Sequence, residues 1–62
     1  MLTQKEFICI RSLVETENQL IYHLNESYEN LSEPQFREEI QKIMASVTNQ
    51  KNSILEFAEE NI

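Results

Sequence analysis

Two polar residues interrupt the otherwise apolar faces of this sequence, and they are the first candidates for chemistry. Glu17 and Gln50 both stand where the surrounding spacing would place a hydrophobic side chain. In helical bundles, inward carboxylates combined with Glu-x-x-His motifs hold di-metal centres. The single histidine, His23, falls roughly opposite the apolar face, and the second half of the chain has none. We therefore expect no metal site, and interpret Glu17 and Gln50 as a register-fixing polar pair in the core or across a dimer axis.

Catalysis by a nucleophile or a general base also lacks the residues that it needs. Cys9 is the only cysteine, and His23 lies several helical turns away from it. The serines have no base partner, and a chain without glycine has no phosphate-binding loop. We expect no catalytic residue and no cofactor. We interpret Cys9 as a small packed thiol in a protein of a reducing compartment.

The charge balance argues against nucleic-acid and membrane partners. The formal net charge is -6, and glutamate supplies all of the acidic residues. Phosphate backbones require clustered lysine and arginine, and an anionic bilayer surface repels an acidic chain. The longest apolar run, Phe7 to Ile10, is far below the ~20 residues that cross a bilayer, and no secretory leader is visible. We expect a cytoplasmic protein that binds neither nucleic acid nor membrane.

The fold class follows from the single proline. Pro34 separates two stretches of helical apolar spacing, in a chain that has no glycine. Thr3-Gln4-Lys5-Glu6 and Ser32-Glu33-Pro34-Gln35 both match the capping box that starts a helix, and a proline is tolerated in the first helical turn. We predict an all-α antiparallel two-helix hairpin, forming a single domain over residues 1–62. Helix 1 spans about 3–29, the loop about 30–32 and helix 2 about 33–60.

The apolar stripes are too wide for one hairpin to cover. At about 100° per residue they span roughly 140° on helix 1 and roughly 160° on helix 2, whereas a two-stranded seam needs only a narrow stripe. We therefore predict that the hairpin dimerises into a four-helix bundle or docks on another helical protein. The residues predicted for this interface are Phe7, Ile10, Val14, Ile21, Leu24, Tyr28, Phe36, Ile40, Met44, Val47, Ile54 and Leu55.

Three short segments carry a resemblance to a known family. They are the opening Met1-Leu2-Thr3-Gln4-Lys5-Glu6, the mid-helix Glu17-Asn18-Gln19-Leu20-Ile21, and Ser32-Glu33-Pro34. In these the chain resembles the small coat-F-like, ferritin-like helical coat proteins of spore-forming Firmicutes. The resemblance implies a ferritin-like half-bundle with a structural or assembly role in sporulation, including incorporation into the spore coat. Family members often carry histidines at positions that match Val47 and Gln50, and this chain does not.

Two classes of function fit these features. The first is a structural or assembly protein that self-associates through its helical faces, as in a spore coat. The second is a small cytoplasmic regulator that binds and inhibits a partner, such as a kinase or a transcription factor, through a helical face. Tight homo-oligomerisation of the purified protein favours the first class, and a marginal monomer that a partner stabilises favours the second.

Overall fold

The computed structural model describes residues 1–61, which form a two-helix hairpin. Helix α1 spans Gln4–Asn30 and helix α2 spans Pro34–Glu60, with no strand in the described part of the chain. The predicted all-α hairpin is confirmed, and both helices lie within one residue of their predicted bounds. The molecule is elongated, with principal extents of 46 × 15 × 9 Å.

The start of α1 is held by the predicted capping box. The Glu6 backbone N–H donates to the Thr3 hydroxyl oxygen at 3.1 Å, and the Thr3 N–H donates to a Glu6 carboxylate oxygen at 3.0 Å. The first turn of a helix has no intrahelical acceptors for its N–H groups, so these two bonds satisfy donors that would otherwise depend on water. At the open end of the hairpin, the Leu2 N–H also donates to the Asn61 carbonyl at 3.0 Å, which ties the two helix ends together.

The predicted cap of α2 at Ser32 is wrong. The N-cap residue is Glu33, and its side chain makes no capping hydrogen bond. The physical reason is Pro34 at the first helical position, because a proline ring disfavours helical backbone angles in the residue before it. Glu33 is accordingly extended, with φ −70° and ψ 118°. Helix α2 therefore begins one residue later than a Ser32 cap requires.

One alternating repeat organises the contact between the helices. Apart from Leu2, Thr48 and Asn61, the residues that are buried or half-buried follow each other at steps of three and four. We call this set the seam: Ile10, Val14, Glu17, Ile21, Leu24 and Tyr28 on α1 with its C-cap Leu31, and Arg37, Ile40, Met44, Val47, Lys51, Ile54 and Ala58 on α2. A repeat averaging about 3.5 residues is that of a coiled coil. The hairpin is thus an antiparallel coiled coil of two helices.

The seam is shallow. Within residues 1–61 only Val47 and Ala58 are buried, at 7% and 8% exposure. The seam also uses a narrower stripe than the sequence predicted, because several apolar residues of the predicted stripes lie beside it in solvent. A pair of helices covers each side chain from one direction, so the packing of this hairpin leaves apolar surface available.

We expect the two predicted caps to respond differently to the loss of a hydroxyl. Thr3→Ala removes a bonded cap and should lower the free energy of unfolding by about 1 kcal/mol. Ser32→Ala removes a hydroxyl that caps nothing and serves as the matched control. Urea unfolding followed by circular dichroism, at one protein concentration, measures both. Equal losses in the two variants would contradict the assigned start of α2.

The capping box also makes stability depend on pH. The Thr3 backbone N–H, together with the Thr3 side chain, holds the pKa of Glu6 below its usual value. The contribution of Glu6 to stability is therefore complete above its unfolded pKa of ~4.3 and is lost as the pH falls through the lower, folded pKa. Glu6→Gln keeps a capping residue that does not titrate. We expect the difference in melting temperature between wild type and Glu6→Gln to become smaller as the pH is lowered. A difference that does not change with pH would contradict this.

Candidate functional site

The two sides of the seam differ in chemistry, and this difference defines the candidate site. Each three-residue step joins two seam residues, such as Val14 and Glu17. In an antiparallel coiled coil, the residues just before the first member of each step share one side of the hairpin. The residues just after the second member share the other side. The first side carries Leu13, Leu20, Phe36, Ile43 and Phe57, which we call the apolar flank, together with the polar residues Glu6, Ser27 and Gln50. The second is the polar flank: Arg11, Asn18, Asn25, Gln41 and Thr48, together with Leu55. The apolar flank is the candidate interaction site.

Every residue of the apolar flank is exposed, with values between 44% for Leu20 and 58% for Phe36. Glu6 and Ser27 bound the row on α1, and the neighbouring positions towards the outside of α1 are Cys9, Thr16 and His23. The flank is therefore a ribbon of aliphatic and aromatic side chains running along the hairpin. Large exposed apolar patches of this kind mark interaction surfaces in soluble proteins.

The apolar flank differs from the interface that the sequence predicted. Most of the predicted interface residues lie in the seam, where the other helix already covers them; these are Ile10, Val14, Ile21, Leu24, Tyr28, Ile40, Met44, Val47 and Ile54. Of the predicted set, Phe36 lies on the apolar flank. The other residues of the apolar flank lie on the apolar stripes of the sequence but were not among the predicted interface residues; they are Leu13, Leu20, Ile43 and Phe57. An alternating repeat of three and four, sought in place of one broad stripe, would have separated seam from flank.

Phe7 and Leu55 are also exposed, but they lie elsewhere. Together with Val14 they line an open groove of about 300 Å³ between the two helices, on the side of the polar flank. Arg11 stands at its edge, where the guanidinium Nε donates to the Glu15 carboxylate at 3.2 Å. This groove is short and is bordered by charge, in contrast to the ribbon on the opposite side.

A polar layer crosses the seam at the middle of α1. Glu17 and Lys51 are seam residues, and the Lys51 Nζ donates to the Asn18 side-chain oxygen at 3.1 Å. The predicted core pair of Glu17 with Gln50 does not form within one chain, because Gln50 is exposed. The antiparallel register places Lys51 level with Glu17, and Gln50 precedes it on the line of the apolar flank. Within one chain the residue level with Glu17 is thus Lys51, and the predicted pairing of Glu17 with Gln50 across a dimer axis stays a prediction.

Glu17 occupies the seam position of this layer that is nearer to the apolar flank. Each seam residue that ends a three-residue step leans towards that flank, and each one that begins a step leans towards the other. Lys51 begins a step and bonds to Asn18 on the polar flank, as this geometry requires. Glu17 ends a step, and its Oε2 is buried with no hydrogen-bond partner in the described part of the chain. The layer therefore contains an acceptor that one hairpin leaves unsatisfied.

Aromatic packing closes the seam at the loop end. The Arg37 guanidinium carbon lies 4.2 Å from the centroid of the Tyr28 ring. Gln41 Nε2 donates to the Tyr28 hydroxyl at 3.3 Å. A cation above an aromatic face is attracted by the ring quadrupole. Tyr28 thus joins the end of α1 to the first turns of α2 by two contacts.

The remaining residues with chemical potential lie apart from one another. Cys9 is exposed, so its interpretation as a packed thiol is wrong; it lies just outside the flank and not on the seam. His23 contacts the Tyr22 ring edge-on, with ring centroids 5.7 Å apart. Among residues 1–61, no three His, Cys or Glu side chains come close enough to hold a metal ion. Neither described helix carries a stretch apolar enough to cross a membrane.

We expect Glu17 to limit the stability of the single hairpin. Glu17→Leu removes a buried oxygen that has no partner and adds apolar area to the seam. The free energy of unfolding should rise by about 1 kcal/mol or more, measured in protein dilute enough for the chains to be single. Glu15→Leu, on the exposed face, is the matched control and should change it little. A loss of stability in Glu17→Leu alone would show that the carboxylate is satisfied.

Comparisons with known proteins leave the site to be interpreted from its own geometry. No protein-family profile, no curated protein and no solved structure matches this chain. The resemblance to coat-F-like proteins, which rests on the three short segments quoted above, therefore stays a prediction.

Proposed function

We propose that this chain is a non-enzymatic assembly protein whose apolar flank packs against a second copy and closes a four-helix bundle. The observation that carries the proposal is the apolar flank itself. It remains exposed after both helices have paired, and its residues recur on both helices, with Gln50 as a polar interruption on α2. Burial of such a surface is the main favourable term in protein association.

The surface area of the hairpin supports the same conclusion. Its accessible surface is 5094 Å², whereas a compact monomer of this mass exposes roughly 4,200 Å². The excess of roughly 900 Å² is close to the ~800 Å² that each partner buries in an interface of standard size. Burial of an interface of that size would lower the accessible surface of each chain to about that of a compact protein.

The biological setting that we propose is assembly of the spore coat. It is supported by the segments Met1–Glu6, Glu17–Ile21 and Ser32–Pro34, which resemble those of coat-F-like proteins. In this setting the half-bundle is a building block, and the four-helix bundle is the smallest closed unit. The alternative is a cytoplasmic regulator that uses the same flank to bind a helix of a different protein. The two proposals differ in whether the purified chain associates with itself.

The test compares a glutamate substitution on the apolar flank of α2 with a matched one on the outer face of α1. Ile43 lies on the apolar flank at 45% exposure, and Ile8 lies on the outer face at 56%. Wild type at roughly 50 µM, a concentration at which a standard-size interface is populated, should sediment at twice the 7.4 kDa chain mass. Ile43→Glu should sediment at the chain mass, because it places a charge in the interface. Ile8→Glu should remain a dimer.

Helical content separates a lost interface from a lost fold. Both isoleucines lie outside the seam, so both variants should keep the circular dichroism of the hairpin. A single-chain mass for the wild type would overturn self-association and assign the flank to a partner of different sequence. Dissociation by Ile8→Glu and not by Ile43→Glu would place the interface on the outer face.

A further inference from the structure

We infer that Gln50 lies on the two-fold axis of the dimer, where it bonds to Gln50 of the second copy and donates to Glu17. This inference rests on the proposed self-association and specifies its centre. The apolar flank on α2 repeats every seventh residue, and Gln50 occupies one place in the row of Phe36, Ile43 and Phe57. A polar residue in the middle of such a row must be satisfied when the row is buried.

The position of Gln50 along the hairpin is central. Glu17 is the middle residue of α1, which spans Gln4–Asn30. The bond from Lys51 to Asn18 sets the register that places Gln50 at this same level. In a two-fold interface, a residue at the axis contacts its own counterpart. With the axis running across both helices at this level, α2 lies over α2 of the second copy and Gln50 faces its counterpart.

The hydrogen-bond donors and acceptors of Gln50 and Glu17 can satisfy one another when a second copy is present. A glutamine amide offers two N–H donors and one carbonyl acceptor. One N–H of each Gln50 can donate to the carbonyl of its counterpart. The other is free for Glu17 Oε2, which is buried and lacks a partner in the described hairpin. Two copies of the chain thereby satisfy both the amides and the carboxylates at the centre of the interface.

A partner of different sequence would have to supply the same donors. An apolar helix docked on the flank would bury Gln50 and Glu17 without partners, which costs roughly 1–3 kcal/mol for each group. A second copy brings the required amide at the required level by symmetry. A single central polar residue of this type also selects one alignment of the helices among several apolar ones. In this arrangement Glu17 and Gln50 would form the polar pair at a dimer axis that the sequence offers as one of two alternatives.

Cross-linking tests the axis directly. Gln50→Cys is made in a Cys9→Ser background, so that the new thiol is the only one in the chain. A thiol near a two-fold axis meets its own counterpart, so mild oxidation should give a covalent dimer at least about tenfold faster than in Gln19→Cys in the same background. Gln19 is exposed on the outer face of α1 and is the matched control. Non-reducing electrophoresis over time measures both rates.

A charge at the same position gives a second readout. Gln50→Glu would bring two new carboxylates together beside both copies of Glu17. The dimer dissociation constant at neutral pH should rise at least about tenfold over that of Gln19→Glu. If both variants of Gln50 match their controls while sedimentation still shows a dimer, the axis is elsewhere and the inference is overturned. If wild type sediments as a single chain, self-association itself is overturned.

Discussion

Two helices cannot enclose a side chain, and this limit governs the whole molecule. A seam residue is covered by the facing helix and by its own neighbours, but it always has an open side. This explains why the best-covered positions of the hairpin are a valine and an alanine, Val47 and Ala58, and why no large side chain is fully buried in residues 1–61. A chain with this architecture gains most of its remaining hydrophobic stabilisation by adding helices from outside. The apolar flank is the surface on which that can happen.

The division of the surface follows from small offsets in one repeat. Residues immediately before the three-residue steps of the seam are apolar except for Ser27 and Gln50, and residues immediately after them are mainly polar. The two sides of the hairpin therefore receive opposite chemistry although the helices are amphipathic to similar degrees. The polar layer at Glu17 and Lys51 follows the same geometry: Lys51 bonds to Asn18 on the polar flank, and Glu17 occupies the seam position nearer to the apolar flank.

Several features of the fold could be read from the sequence because they are local. Absence of glycine, one proline and the Thr3 capping box act over a single turn, so they predicted both helices and the confirmed start of α1. Ser32 was wrongly predicted as the N-cap because the residues around it match a capping box. That match does not include the restriction that Pro34 places on the backbone of Glu33. The sequence correctly indicated that the apolar stripes are wider than one hairpin can cover. Which residues form the seam depends on the partner helix, and an angular estimate could not separate Ile21 in the seam from Leu20 beside it.

The contacts at Tyr28 have a consequence for the order in which the hairpin forms. Closing a loop costs more entropy as the number of enclosed residues grows. Tyr28 meets Arg37 and Gln41 across a very short segment, whereas the bond between Leu2 and Asn61 encloses almost the entire chain. Helix pairing therefore loses the least conformational entropy next to the loop. At the open end, pairing becomes favourable only after the layers between have paired. We therefore expect the helices to pair first at Tyr28, and the bond between Leu2 and Asn61 to form last.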